Sequence, residues 1–413
     1  MRGKIALVHY SGPPVVGGVE TVLHNQARFL AENGYPVKVV VGKGSPFHRD
    51  VEHVVVPELS SNFPAFVGLS RESFQAEVDR LARRFDEIFQ DTALLIIHNV
   101  MTMPFNMVAT AALKRVIEAG KRAVIWCHDS PFMDPSYRIS RDEYPYSLLA
   151  EPVKGARYVT ITEQRREAFS RLLGMPPDSI LVVRNGIDLS HFLSLAPQAI
   201  HLIDEFRLYE KDLVVISPVR ITRRKNLELC LRICAELREY YPNLLLIVTG
   251  FLDPHNLEAR TYFEELKALV ARLEMEREVV FLGEYRMEDG TPTTADWKAT
   301  RDIYSLADIL LLTSVSEGFG LPLLEAGLLR MPIVCTDIPT LREVARDVEN
   351  VVFIGLEEKP EAVAGRIYQF LSSHRTFKHF KTVFREYNWN AIGKSFLIPI
   401  IREALGEERG NEA

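Results

Sequence analysis

The sequence lacks the features of a membrane-spanning, secreted or nucleic-acid-binding protein. No apolar run approaches about 18 residues, the length that a transmembrane helix needs. Met1-Arg-Gly-Lys4 leads straight into a short strand, so we expect no signal peptide and a cytoplasmic protein. The four cysteines in 413 residues have no metal-ligand spacing, which agrees with a reducing compartment. A net charge of −6 gives no basic excess, so we expect no nucleic acid among the partners.

A second group of absences concerns cofactors. The sequence contains no Asp-x-Asp triplet, the usual ligand of a metal-bound diphosphate. It has no N-terminal Gly-x-Gly-x-x-Gly, and Gly318-x-Gly320 continues with Leu323 where a dinucleotide fingerprint has its third glycine. We therefore expect no metal and no nicotinamide cofactor, and protein cations must neutralise any bound diphosphate.

Short apolar runs alternate with helical patterns along the whole chain. Such alternation predicts parallel sheets in two doubly wound α/β domains, and the chain is long enough for both. The segment 188–211, which is polar and contains Pro197, is predicted to be a hinge. The strands are predicted near residues 5–9, 37–41, 54–57, 94–98, 124–128, 159–162 and 181–184, then 214–219, 245–249, 279–283, 309–313, 333–336 and 351–354.

The most informative motif is Ser314–Ala326, which places two glutamates around a glycine-rich elbow after an apolar run. Glycine lets a ligand approach the backbone closely, and the free N–H groups of a helix start favour phosphate or sugar oxygens. We predict a cradle for a sugar nucleotide; the alternative is a pair of surface helix charges. The predicted cradle residues are Glu317, Gly318, Phe319, Gly320, Leu321 and Glu325.

Two further clusters follow apolar strands. In Arg220-Ile-Thr-Arg-Arg-Lys225, like charges repel unless an anion neutralises them, and a diphosphate is the anion that a helix start favours. We place Arg220 and Lys225 on that diphosphate. Gly17-Gly18 begins a helix at the carboxyl edge of the first strand, where open α/β sheets bind ligands. The alternatives are a solvated basic turn and a merely tight turn.

Histidines end two of the predicted strands. His128 is followed by Asp129 and Pro131 in a loop, and we predict that it contacts the sugar; the alternative is a packed or capped residue. His98-Asn99, at the end of the preceding strand, is a second candidate for the acceptor site, with simple packing as its alternative.

A basic stretch follows His98-Asn99 in the sequence. Its cations, Lys114, Arg115, Lys121 and Arg122, would suit an anionic membrane surface, but Glu118 interrupts them. We favour a solvated helix face, so membrane contact is at most peripheral.

The ordered set of motifs resembles the retaining GT-B glycosyltransferases of the large family 4, and the resemblance covers nearly the whole chain. The motifs that carry it are Gly17-Gly18-Val-Glu20, His128, Asn185-Gly-Ile-Asp188, Arg220 with Lys225, and Glu317 with Glu325.

The resemblance implies the GT-B fold, with two Rossmann-like domains facing across a cleft. Residues 1–190 would form the acceptor-side domain, 191–388 the nucleotide-sugar domain, and 389–413 a helix crossing back. Glu317 would contact the donor sugar, and Glu325 the ribose hydroxyls. Arg220 and Lys225 would grip the diphosphate, His128 would contact the transferred sugar, and Gly17-Gly18 would close over phosphate and acceptor. The base would be read by backbone near 250–252 and 283–286.

The implied function is a retaining, metal-independent hexosyltransferase. Its donor would be a nucleotide sugar, with GDP-mannose and UDP-glucose as leading choices. The acceptor would be a hydroxyl of a small glycoside, a polysaccharide or a lipid-linked sugar. Two alternatives stay open: a sugar-nucleotide 2-epimerase of the same architecture, and a nucleotide-sugar sensor without activity.

Overall fold

A computed structural model of the chain describes residues 3–250, 257–286, 297–346 and 350–407. The chain divides into two compact units. Unit 1 comprises residues 1–188 and 386–413, and unit 2 comprises residues 189–385. The sequence predicted that the domains end at residues 190 and 388; in the structure the corresponding units end at residues 188 and 385.

Unit 1 is built on a seven-stranded parallel sheet in the order β3-β2-β1-β4-β5-β6-β7. Its central strands are short, largely apolar runs buried on both faces, as parallel strands between helices require, whereas the edge strands at Val51–Val55 and Ile180–Val182 are partly exposed. The strands are β1 (Lys4–Ser11), β2 (Val37–Lys43), β3 (Val51–Val55), β4 (Thr92–His98), β5 (Ala123–Cys127), β6 (Ala156–Thr160) and β7 (Ile180–Val182). Its first four helices are α1 (Gly18–Glu32), α2 (Arg71–Ile88), α3 (Met107–Glu118) and α4 (Glu163–Leu173).

Unit 2 has a six-stranded parallel sheet in the order β10-β9-β8-β11-β12-β13, so both doubly wound domains are confirmed. Its strands are β8 (Leu213–Ser217), β9 (Leu244–Val248), β10 (Val279–Phe281), β11 (Ile309–Leu312), β12 (Ile333–Thr336) and β13 (Val351–Ile354). Its helices are α5 (Leu189–Phe192), α6 (Pro197–Glu205), α7 (Leu227–Leu237), α8 (Leu257–Arg272), α9 (Trp297–Leu306), α10 (Leu321–Leu328), α11 (Pro339–Ala345), α12 (Pro360–Ser373) and α13 (Arg375–Glu386).

The segment 188–211, which is predicted to be a hinge, begins at the boundary between the two units and contains regular structure. This segment contains α5 and α6, and its apolar side chains Ala199, Leu202 and Ile203 are buried in the core of unit 2. Pro197 does not interrupt the helix because it occupies the first turn of α6, where its missing N–H has no helical partner to lose.

The C-terminal helix returns to unit 1 as α14 (Trp389–Ile392), a π-helical turn (Gly393–Leu397) and α15 (Ile398–Leu405). The motif Asn185-Gly-Ile-Asp188 contacts the beginning of this C-terminal segment. The Ile187 N–H donates to the Tyr387 carbonyl over 2.6 Å, and the Trp389 N–H donates to the Ile187 carbonyl. A Cβ at Gly186 would lie 2.8 Å from an Ile392 methyl, so only glycine fits there without displacement. This motif therefore has a structural role in unit 1.

The basic residues on α3 and just after it contact neighbouring parts of unit 1. Lys114 forms an ion pair with Glu151 over 2.7 Å, and Arg115 forms one with Asp79. Lys121 donates to the Phe89 carbonyl. In the four described stretches of the chain, no helix is long and apolar enough to cross a membrane.

Candidate functional site

One group of candidate site residues lies at the carboxyl edge of the unit 2 sheet, where β8 and β11 are neighbours. The loops after these strands bring Lys225 and Glu317 together, with 2.5 Å between Nζ and Oε1. The Ser314 hydroxyl donates to the same Oε1 over 2.6 Å. Two residues that lie 92 positions apart in sequence therefore form one partly buried ion pair.

Backbone hydrogen bonds fix these two loops against each other. The Thr313 hydroxyl donates to the Asn226 carbonyl over 2.8 Å, and the Val315 N–H donates to the Arg224 carbonyl over 2.9 Å. The Thr336 hydroxyl, at the end of the next strand, donates to the Ser314 carbonyl. The ion pair is thus held by the sheet edge, which limits how far Lys225 can move.

The structure corrects the interpretation of the basic turn. Carboxylates of the chain already offset the repulsion among the basic side chains of this turn. Arg223 pairs with Glu265 over 2.7 Å, and Arg224 lies 3.8 Å from Glu317. Within the described residues, Arg220 alone of the four basic side chains has no ion pair and is exposed. A bound anion would therefore meet Arg220 directly and would compete with Glu317 for Lys225.

The elbow between β11 and α10 is formed as predicted. Gly320 has a φ of +97°, and a Cβ there would lie 2.7 Å from a Leu341 methyl, so this position needs glycine for two reasons. No side chain caps the first turn of α10; Pro322 has no N–H to offer, and the Leu323 N–H donates to the Gly320 carbonyl over 3.0 Å. Glu325 projects from α10 and accepts a hydrogen bond of 2.7 Å from the buried Tyr304 hydroxyl.

Glycine is also required where the loops after β8 and β9 meet. A Cβ at Gly250 would lie 1.9 Å from the Val219 carbonyl oxygen, so the two backbones can touch only at a glycine. Gly250 belongs to the segment 250–252 that is predicted to read the base; residues 251 and 252 lie outside the described residues. Residues 283–286 follow β10 on the far side of β9.

A separate group of candidate residues lies at the carboxyl edge of the unit 1 sheet. Gly17 is the N-cap residue that precedes α1, and no side-chain hydrogen bond caps this turn. Glu20, in the first turn, accepts a hydrogen bond of 2.5 Å from the Ser11 hydroxyl, and its carboxylate lies 3.7 Å from His9 Nε2. The neighbouring His9, aided by the Ser11 hydroxyl, lowers the pKa of Glu20 to about 2 against the opposing effect of burial.

Both predicted histidines lie at this edge and contact each other. His98 Nδ1 lies 3.1 Å from His128 Nε2, and both side chains are buried. Burial, with a contribution from nearby His9, lowers the pKa of His128 to about 3. The Asn99 carboxamide oxygen accepts from the His128 N–H over 3.0 Å, so Asn99 supports the backbone of His128.

Sequence reasoning missed three partners in these clusters: His9, Ser11 and Tyr304. The position of His9 could have been predicted from strand periodicity, because successive side chains of a strand alternate between the two faces. His9 continues the series of Ile5 and Leu7 on the face that packs against α1. Tyr304 gave no signal, since it reaches Glu325 from a separate helix.

Comparison with known families decides the identity of both units. Residues 201–386 match the family described as Glycosyl transferases group 1. Residues 16–191 match the family described as Glycosyltransferase Family 4. The chain belongs to the family 4, group 1 glycosyltransferases, which have the GT-B fold. It is therefore an enzyme, a hexosyltransferase, as predicted.

Three relatives are similar along much of the chain. An uncharacterized glycosyltransferase of Methanocaldococcus jannaschii is 24% identical over 95% of this chain and 96% of its own. The mannosylglucosylglycerate synthase of Petrotoga mobilis is 24% identical over 89% of this chain and 90% of its own. The O-antigen chain mannosyltransferase B of Escherichia coli is 26% identical over 61% of each chain.

Proposed function

We propose that this glycosyltransferase is a retaining, metal-independent enzyme that moves a hexosyl group from a nucleotide sugar to a hydroxyl acceptor. The observation that carries the proposal is the Lys225–Glu317 pair, which places a cation and a carboxylate side by side where two strands end. GDP-mannose is the first choice of donor, because two of the relatives are named for mannosyl transfer or mannosyl products. UDP-glucose is the second choice.

The leaving diphosphate would be held by Arg220, Lys225 and the backbone of the elbow that precedes α10. Breaking the anomeric bond increases the negative charge on this group, and fixed donors stabilise the transition state more than the ground state. Arg220 is exposed and forms no ion pair with any residue that the structure describes, and Lys225 would exchange part of its contact with Glu317 for a phosphate oxygen.

Glu317 would lie beside the sugar carbon, where positive charge develops as the leaving group departs. The existing ion pair thus has the polarity of the transition state, with the cation toward the phosphate and the carboxylate toward the sugar. Glu325, on the next turns of α10, would bind the ribose hydroxyls, and the Tyr304 hydroxyl would orient its carboxylate.

Retention would follow from attack on the same face that the phosphate leaves. The acceptor oxygen forms the new bond to the anomeric carbon, the carbon–oxygen bond to the diphosphate breaks, and the diphosphate takes the acceptor proton. No residue is assigned as a covalent nucleophile. Metal independence is supported by the absence of an Asp-x-Asp triplet in the sequence and by the cations that surround the elbow.

In unit 1, His128 would contact the transferred sugar, and Gly17-Gly18 would contact phosphate and acceptor. Gly18 has open space around its Cα, since an added Cβ would meet nothing within 4 Å. His128 is neutral at physiological pH because burial lowers its pKa, so it would act as a hydrogen-bond partner and not as a cation.

Two measurements test the proposed function. The first is incubation of the protein with GDP-, UDP- and ADP-sugars and candidate glycoside acceptors. Release of nucleotide that requires the acceptor, with the product anomer matching the donor by NMR, is expected. The second is a thermal-shift panel, in which a donor at 100 times its Kd adds about 2.7 kcal/mol of stability. Inversion of the anomer, or no response to any nucleotide sugar, would overturn the proposal.

A further inference from the structure

Three histidines of unit 1 lie at the ends of three adjacent strands and on one face of the sheet. In the parallel register Val8 pairs with Ile97 and His98 pairs with Trp126, so His9 stands beside His98. His128 lies two residues beyond Trp126, which returns its side chain to the face of His98. This alternation places His9, His98 and His128 in one row.

The contacts within the row determine where its protons lie. The His98 carbonyl oxygen can only accept, so His9 Nδ1, at 2.8 Å from it, carries a proton. Between the rings of His98 and His128, one nitrogen must donate to the other over 3.1 Å. Burial, with the nearby His128 and His9, holds the pKa of His98 well below its ordinary value, so both rings of this pair are neutral.

Burial distinguishes the two neutral arrangements. His98 Nε2 is buried and has no hydrogen-bond partner among the described residues. If His128 donated, the single proton of His98 would sit on this Nε2 as a buried N–H without an acceptor. If His98 donates from Nδ1, only a lone pair is left without a partner, and no N–H is lost. Orphaned buried N–H groups are rare, so the second arrangement is favoured.

We propose that His98 is a positioning residue that fixes His128 in the tautomer with its proton on Nδ1. His128 Nε2 is then an acceptor occupied by His98, and Nδ1–H is the group that His128 can offer to a substrate oxygen. The consequence for the reaction rests on the proposed function, in which His128 contacts the transferred sugar.

Glu20 supports the same arrangement from α1. Its carboxylate lies 3.7 Å from His9 Nε2, while His9 Nδ1 holds the carbonyl of His98. Glu20 thereby helps to fix the end of β4 from which the His98 ring projects. This gives Glu20, in the Gly17-Gly18-Val-Glu20 motif, a role that does not require contact with substrate.

The tautomer can be measured without substrate. Long-range proton–nitrogen NMR correlations of protein labelled with ¹⁵N-histidine distinguish a protonated ring nitrogen from a bare one. We expect His128 with Nδ1 protonated and Nε2 bare, assigned by loss of its signals in His128→Ala. A protonated Nε2 on His128 in the wild-type protein would overturn the proposal, whatever the enzyme transfers.

Variants of His98 test the effect on activity. In His98→Asn the side-chain amide replaces the Nδ1–H donor, whereas His98→Leu removes it. We expect His98→Leu to lower kcat about tenfold, the factor that one neutral hydrogen bond is worth, and His98→Asn to restore most of it. Trp126→Phe, which changes packing beside His98 but keeps the hydrogen bond, is the matched control and should retain kcat.

The outcomes separate this inference from the proposed function. Wild-type kcat in His128→Ala would remove the sugar contact but leave the tautomer result standing. Equal loss in His98→Asn and His98→Leu, with a correct tautomer in the wild type, would show that His98 acts by packing alone and would overturn the positioning role. If neither variant folds, the wild-type spectrum still decides the tautomer.

Discussion

The ammonium group of Lys225 lies 2.5 Å from a carboxylate oxygen of Glu317, and the two side chains are only 11% and 7% exposed. Each is the other's main counter-charge in this structure. A ligand that takes either one must therefore offer a charge or dipole of its own in exchange. A diphosphate attached to a sugar offers both, with anionic oxygens for Lys225 and sugar hydroxyls for Glu317.

Removal of either of the two cations that are proposed to bind the diphosphate should slow the reaction. We expect Arg220→Ala and Lys225→Ala each to lower kcat by about 10² to 10³, the scale for losing one preorganised charge stabiliser. Arg223→Ala is the control, because Arg223 is exposed and pairs with Glu265. Steady-state kinetics check this; wild-type turnover in the Arg220 or Lys225 variant would remove that residue from the mechanism.

The same variants should differ in stability. Lys225→Ala leaves the Glu317 carboxylate partly buried without its partner, at a cost of about 3 to 5 kcal/mol. Arg220→Ala should change the free energy of unfolding by less than about 0.5 kcal/mol, because its side chain is exposed. Glu317→Gln combined with Lys225→Met should recover part of the loss. Urea unfolding of the four proteins measures this, and equal stability of the two single alanine variants would contradict it.

The two glutamates of the elbow should affect different kinetic constants. Glu325, on the ribose, contributes to ground and transition states alike, so Glu325→Gln should mainly raise the donor KM. Glu317→Gln should mainly lower kcat. Tyr304→Phe removes the hydrogen bond to Glu325 and should raise the same KM by a smaller factor. Steady-state kinetics of the variants at saturating acceptor measure both constants. The reverse pattern would mean that the donor binds in the opposite orientation, with its sugar at Glu325 and its ribose at Glu317.

Activity should survive an excess of EDTA, because Arg220 and Lys225 are expected to neutralise the leaving group. The measurement is the initial rate before and after chelation, with magnesium or manganese added back. Complete loss of activity that either metal restores would refute the account of leaving-group stabilisation by protein cations alone.

Stability should fall at acidic pH partly through His128. Its pKa is about 3 in the folded protein and 6.5 in the unfolded chain, so the unfolded chain binds more protons between these values. Stability therefore declines as pH falls from about 6.5, by at most roughly 1.4 kcal/mol per pH unit for one group. His128→Asn should make the decline shallower in urea titrations from pH 7 to pH 4; an unchanged slope would argue that His128 is not buried.

The fold followed from the sequence because parallel strands between helices are buried on both faces and appear as continuous apolar runs. Ile309–Leu312 is such a run, and it lies within a predicted strand. The helices within segment 188–211 were not predicted, for a related reason. Its apolar residues recur with helical spacing at 199, 202 and 203, but polar neighbours and Pro197 obscured that pattern.

The candidate site was predicted in its parts but not in its pairing. Glu317, Arg220 and Lys225 were each named, yet nothing in the local sequence indicates that Lys225 binds Glu317. That contact depends on β8 lying next to β11, which the order of strands along the chain does not state. The pairing of Arg223 with Glu265 on α8 is hidden for the same reason.

The return of residues 386–413 to unit 1 has a consequence for biosynthesis. Unit 2 is complete once residue 385 has left the ribosome, whereas unit 1 still lacks the helix that covers Trp126 and its neighbours on one sheet face. The first unit to be translated is therefore the last to finish folding. A chain that stops near residue 385 would expose the apolar face of unit 1 and be prone to aggregate, even though all the residues of the elbow and the histidine row had been made.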